Sequence, residues 1–136
     1  MSERKAHSTT DAPAPLPVFS QVIESNGFLF TSGQIGATPD GKLVEGTIAD
    51  RTAQALKNLD SVLKAAGSGL EHAVKLTVFI TDYSQFATMN AAYLQAMPSP
   101  APARSCIGVR ELPYGTDVEI EAVAVIPGSG KRDAKL

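Results

Sequence analysis

A chain of 136 residues with 43% hydrophobic and 19% charged side chains has the size and balance of one ordinary globular domain around a single core. No apolar run approaches the roughly 18 to 20 residues of a membrane-crossing helix, and a net charge of −2 with bases scattered among acids gives no stripe for a phosphate backbone, so neither membrane nor nucleic acid is an expected partner. One cysteine, Cys106, excludes an internal disulfide, and with only His7 and His72 a structural zinc site lacks ligands, which points to a reducing, metal-free setting.

The first seventeen residues, Met1 to Pro17, are polar and then rich in alanine and proline, with no apolar stretch of the kind a secretory signal needs. They read as a flexible arm ahead of a single domain over residues 18–127. Residues 128–136 form a matching frayed tail of glycine, serine and charge. The expected compartment is cytoplasmic; Arg4, Lys5 and His7 leave a mitochondrion open, against which Glu3 and Asp11 speak.

Phe19 to Ser25 and Phe28 to Ile35 are strand-like and separated by Asn26-Gly27, a dipeptide in which both residues tolerate positive φ, so the pair predicts a tight hairpin. A turn at Thr38-Pro39-Asp40-Gly41 leads to a helix. There Ile48, Ala55, Leu56, Leu59, Val62, Leu63 and Ala66 recur at helical spacing, Thr47 with Asp50 supplies the start, and Gly67 the stop. Val74, Leu76, Val78 and Ile80 alternate as a strand with one buried face. Asp82 or Ser84 caps a second helix whose apolar face is Phe86, Met89, Tyr93 and Met97, ended by Pro98. Two last strands lie near Arg104 to Glu111 and Val118 to Ile126. The sum is an α+β domain, a mixed β-sheet with both helices packed on one face. The face carrying Phe79, Val123 and Val125 then lacks cover, and self-association is the economical way to provide it.

Arg104 and Glu119 are charges set inside strand segments. An arginine forks two parallel hydrogen bonds to a carboxylate and keeps its proton, which suits it to anchor a small organic acid; a glutamate can hold water or pass a proton. Taken alone, Arg104 reads more readily as a surface ion-pair partner and the Glu119-x-Glu121 pattern as a solvated strand face. Cys106 shares a strand face with Arg104 but has no base to activate it, so it reads as pocket wall rather than nucleophile. A simple hairpin centred on Tyr114-Gly115 sets Glu119 opposite Arg110 and keeps Arg104 several residues away. A site using both residues therefore needs another strand pairing or a second subunit, and the second is the favoured expectation.

Pro102-Ala103-Arg104-Ser105-Cys106, the Leu112-Pro113 turn and Val118-Glu119-Ile120 together resemble the closing signature of the RidA/YjgF family, also filed as L-PSP endoribonucleases. Thr31-Ser32-Gly33-Gln34-Ile35 is similar to that family's Ser-Gly-Gln turn, Val78-Phe79 to its central strand, and Asn90 with Tyr93 to its second helix; the likeness runs from about Ala12 to Val125. It implies a chorismate-mutase-like fold in a homotrimer with sheets facing inward, and hydrolysis of reactive 2-imino acids to 2-keto acids and ammonia without a cofactor or metal. It also implies that Arg104 binds the substrate carboxylate and Glu119 orients water, with Phe19, Ser32, Gly33, Asn90 and Cys106 lining the pocket. Asn90 reads equally as a helix-to-sheet tie. Where the family usually has Gly-Pro-Tyr-Ser-Gln, this chain has Pro17-Val18-Phe19-Ser20-Gln21, so Phe19 lacks the tyrosine hydroxyl. That departure keeps a second expectation in view, a non-catalytic binder of small carboxylates or a chaperone-like trimer. Ribonuclease activity is the third and least expected.

Overall fold

The computed structural model describes residues 3–129. Its strands are β1 (Lys5–His7), β2 (Val22–Ser25), β3 (Phe28–Thr31), β4 (Gln34–Ile35), β5 (Ala73–Ile80), β6 (Ala103–Gly108) and β7 (Val118–Val125), with helices α1 (Ile48–Ala65) and α2 (Phe86–Ala96). They form one mixed sheet in the order β1-β2-β3-β7-β5-β6, with β4 also on β7, and only the β5–β6 pair is parallel. Both helices pack on the same face, as the α+β reading requires.

Asn26 and Gly27 adopt φ of 54° and 81° and close the β2–β3 hairpin in the left-handed conformation that asparagine and glycine accept most readily. Helix α1 begins at Thr47, whose hydroxyl accepts from the Ala49 amide while Asp50 reaches back to the Thr47 amide; Gly67, at φ 87°, lies just past its end. Ile48, Leu56, Leu59 and Leu63 are buried, each worth about 1.5–3 kcal/mol of removed apolar surface. The buried Asn58 amide donates to the carbonyls of Ile35 and Ala37, fixing α1 to the segment that follows β4.

Three expectations change. The last two strands are not neighbours: β5 lies between them, pairing with β6 in parallel and β7 in antiparallel fashion, because α2 carries the chain from β5 over to the sheet edge. Val74 shares the parity of Leu76 yet is exposed, since a register slip between Ala73 and Lys75 interrupts the strand's start. The N-terminal segment is held where it is described. Lys5–His7 pair with Glu24–Val22, Ala12 is buried, and the side chain of buried Gln21 grips it by accepting from the Thr9 amide and donating to the carbonyls of Thr9 and Pro13. A polar, proline-rich segment shows no hydrophobic period, so backbone pairing of this kind leaves no mark in its pattern. At the other end, residues 130–136 of the expected tail lie outside the described residues.

Candidate functional site

Strand register decides where the functional side chains point. Leu76, on the helix-covered face, pairs with both Arg104 of β6 and Ala122 of β7, whereas Phe79, on the opposite face, pairs with Glu119. Residues three apart on a strand face opposite ways. Arg104 and Cys106 thus belong to the helix side and Glu119 and Glu121 to the uncovered side.

Arg104 lies on an edge strand against α2. Its Nη1 donates to Asn90 Oδ1 at 2.7 Å, and its guanidinium carbon is 4.8 Å from the Tyr93 ring centroid and 5.7 Å from that of Phe86. Asn90 is therefore a clamp for the arginine, and two rings fix the guanidinium plane while leaving it no carboxylate partner among the described residues. The Cys106 thiol is pushed up by burial, with Arg104 and Tyr83 pulling the other way, which disfavours a thiolate nucleophile. Burial likewise raises the Tyr93 phenol, whose hydroxyl is buried and unpaired.

Glu119 lies just past a bulge. From the Phe30–Val123 pair to the Gln34–Ile120 pair the β3–β4 side spends Thr31, Ser32 and Gly33 against only Glu121 and Ala122, and this extra residue breaks one strand into two. Ser32 turns away, its hydroxyl donating to the Ser20 carbonyl at 2.6 Å and its amide to that of Gln21 at 2.9 Å. Gly33 leaves the room that Glu119 fills. Burial first, and the Glu121 carboxylate second, hold the Glu119 carboxyl above its ordinary 4.5.

A cleft of about 720 Å³ gathers Phe19, Ser32, Gly33, Glu119 and Glu121 with Leu16, Pro39, Pro113 and Tyr114. The predicted residues consequently fall into two groups. Phe19, Ser32, Gly33 and Glu119 share this cleft, while Arg104, Asn90 and Cys106 share the α2 edge, and one chain does not bring the groups together. Sequence reasoning missed Tyr83 and Phe86 beside the arginine group, the Gln21 clamp, and the Arg51–Asp117 pair that ties α1 to the start of β7 at 2.7 and 2.8 Å. Arg51 and Asp117 lie 66 residues apart, and nothing local announces them.

Among the described residues no helix is long and apolar enough to cross a membrane, and no three His, Cys, Asp or Glu side chains gather as a metal would need.

The model of the family described as Endoribonuclease L-PSP matches residues 9–126. The chain is 43% identical over 123 residues to the 2-iminobutanoate/2-iminopropanoate deaminase of Mus musculus, covering 90% of this chain and 91% of that protein. The crystal structure of yeast Mmf1 superposes with a TM-score of 0.88 at 38% identity, covering 90% of this chain and 98% of that one. A crystal structure of E. coli TdcF with bound serine gives 0.84 at 35% identity, over 89% and 98% of the two chains.

Proposed function

The chain belongs to the L-PSP endoribonuclease or RidA/YjgF family, and from that premise we propose that it is a hydrolytic deaminase of reactive 2-imino acids, yielding 2-keto acids and ammonia. The observation that carries the reading is Glu119, a carboxyl held above its ordinary range and set over Gly33 in a cleft large enough for a small organic acid.

The substrate carboxylate pairs with Arg104, pre-oriented by Asn90, Phe86 and Tyr93. Water adds its oxygen to C2 of the C=N bond as Glu119 takes one of its protons and passes it to nitrogen. The hydroxyl of the resulting carbinolamine then gives up its proton, the C2–N bond breaks as C=O forms, and the nitrogen leaves with that proton as ammonia. The imine carbon is already electrophilic, so the residues need only hold the acid and move protons. Because Arg104 and Glu119 face opposite sides of one sheet, the reading places the site between subunits of a homotrimer. Its uncovered faces, which carry the exposed Phe28, Phe30 and Ile107, turn inward.

Phe19 supports a second reading, that of a carboxylate binder without turnover, because it lacks the hydroxyl the family usually has there. Three carboxylates, Asp40, Glu119 and Glu121, line the cleft and repel a phosphodiester, which weighs against the ribonuclease reading. The test is a coupled assay in which an amino-acid oxidase generates the imine and keto-acid release is followed. Acceleration over spontaneous hydrolysis is the expected result; binding of keto acid without acceleration is the outcome that selects the second reading.

A further inference from the structure

Tyr114 stands where the backbone asks for something else. It is held at φ 57° and ψ 20°, followed by Gly115 at φ 70°, a pair of left-handed positions that glycine or asparagine fills without strain and a bulky aromatic does not. The side chain gains nothing local in return. It is 78% exposed, and among the described residues no hydrogen bond, ion pair or stacked ring holds it. The strained turn does place the tyrosine on the wall of the cleft that holds Glu119, a wall that also includes Pro113, Leu16, Phe19 and Pro39.

We infer that Tyr114 is a specificity-determining residue, whose ring forms the wall against which the apolar side chain of a 2-imino acid packs; this rests on the deaminase reading above. An acid whose C2 lies at Glu119 directs its side chain along the cleft. A methyl group reaches little of this wall, whereas a branched or aromatic side chain can lie against the surfaces that Tyr114, Pro113 and Leu16 present. Asp40, whose carboxyl is held below its ordinary range chiefly by the Thr38 hydroxyl, stays ionised in the same cleft and with Glu121 disfavours an acidic side chain. Uncharged, bulky side chains are the class selected.

The experiment measures kcat/KM of the full-length protein on imines generated from alanine, leucine and glutamate, for wild type, Tyr114→Phe and Tyr114→Gly. Wild type is expected to favour the leucine-derived imine over both others. Tyr114→Gly is expected to lose about tenfold more on it than on the alanine-derived imine, since an apolar subsite contact discriminates by about this factor. Tyr114→Phe keeps the preference, because the ring and not the hydroxyl makes the wall. Glycine relieves the left-handed strain, so Tyr114→Gly melts no lower than wild type and an unfolded variant does not mimic the result. Equal effects on the two uncharged imines, or none, overturn the role of Tyr114 while leaving the deaminase reading standing. Failure of wild type to accelerate any of the three overturns both.

Discussion

The Glu119 side chain lies over Gly33 so closely that a methyl group there would come within 2.7 Å of the carboxyl carbon and 3.0 Å of Oε1. Gly33 is thus the floor on which the candidate proton carrier rests. The obstructed atoms belong to the free end of a flexible side chain, so Gly33→Ala is expected to swing Glu119 aside rather than unfold the domain. A misplacement of about 1 Å costs on the order of a hundredfold in rate. Keto-acid release falling by that factor with an unchanged melting temperature is the expected pair of readings; wild-type activity in Gly33→Ala removes Glu119's position from the mechanism.

Arg104 and Glu119 point away from each other within one sheet, and this makes a sharp prediction for mixed assemblies. Arg104→Ala loses a charge-assisted carboxylate clamp, worth roughly 2–5 kcal/mol, and Glu119→Gln loses the proton carrier, so each alone is inactive. Unfolded together and refolded as hybrids, the two variants should recover about a quarter of wild-type activity, because one subunit supplies Arg104 and its neighbour Glu119. No recovery, from an assembly that light scattering shows to be mixed, rules out a site shared between subunits.

Phe19 is 44% exposed on the cleft wall, so a hydroxyl added there reaches solvent or substrate instead of being buried without a partner. Phe19→Tyr should accordingly leave stability unchanged, and under the deaminase reading one added hydrogen bond, about 0.5–1.5 kcal/mol, raises turnover severalfold. Unchanged turnover with unchanged stability shifts weight to the non-catalytic reading.

The uneven legibility of this chain in its sequence has a physical origin. Helix α1 and the Asn26–Gly27 turn are written in residues within a few positions of one another: a 3.6-residue apolar period, a capping pair, two residues that accept positive φ. The insertion of β5 between β6 and β7 is a long-range pairing choice with no local signature, and so is the docking of β1. Arg104 and Glu119 stand out as charges within strands, and family resemblance names their roles. That they face opposite sides follows only from register against β5. The sequence around Asn90 does not distinguish packing from pocket because its partner, Arg104, lies fourteen residues on across a helix-to-strand connection.

Arg51 shows what the long-range contacts are worth. Its guanidinium forks onto Asp117 at 2.7 and 2.8 Å and donates to the carbonyls of Val44 and Gly46, with both side chains partly buried. Arg51→Met should cost about 2–3 kcal/mol, since hydrogen bonds to charged groups are lost and Asp117 is left without its cation. The Arg51 hydrogen bond depresses the Asp117 pKa, so the pair's contribution is present above the ordinary 3.8 and lost as pH falls through the lower folded value. Denaturant midpoints of wild type and Arg51→Met should differ at pH 7, and the gap should narrow in strong acid.

Glu119 obeys the opposite sign, and this separates its proposed catalytic role from its effect on stability. Burial and the Glu121 carboxylate raise its folded pKa above 4.5, so folding favours the protonated form. Its favourable contribution is complete below the unfolded pKa and is lost as pH rises through the folded one, leaving an ill-placed charge at neutral pH. Activity runs the other way, because only the ionised carboxylate accepts a proton from water, so kcat/KM should fall in acid with a midpoint above 4.5. Glu121→Gln removes the repulsion and should move that midpoint down. Glu119→Gln should then be inactive yet melt above wild type at pH 8, the gain shrinking as pH drops. An inactive Glu119→Gln that melts lower at pH 8 would mean that a partner stabilises the charge, and would remove burial and Glu121 as the forces that set its titration.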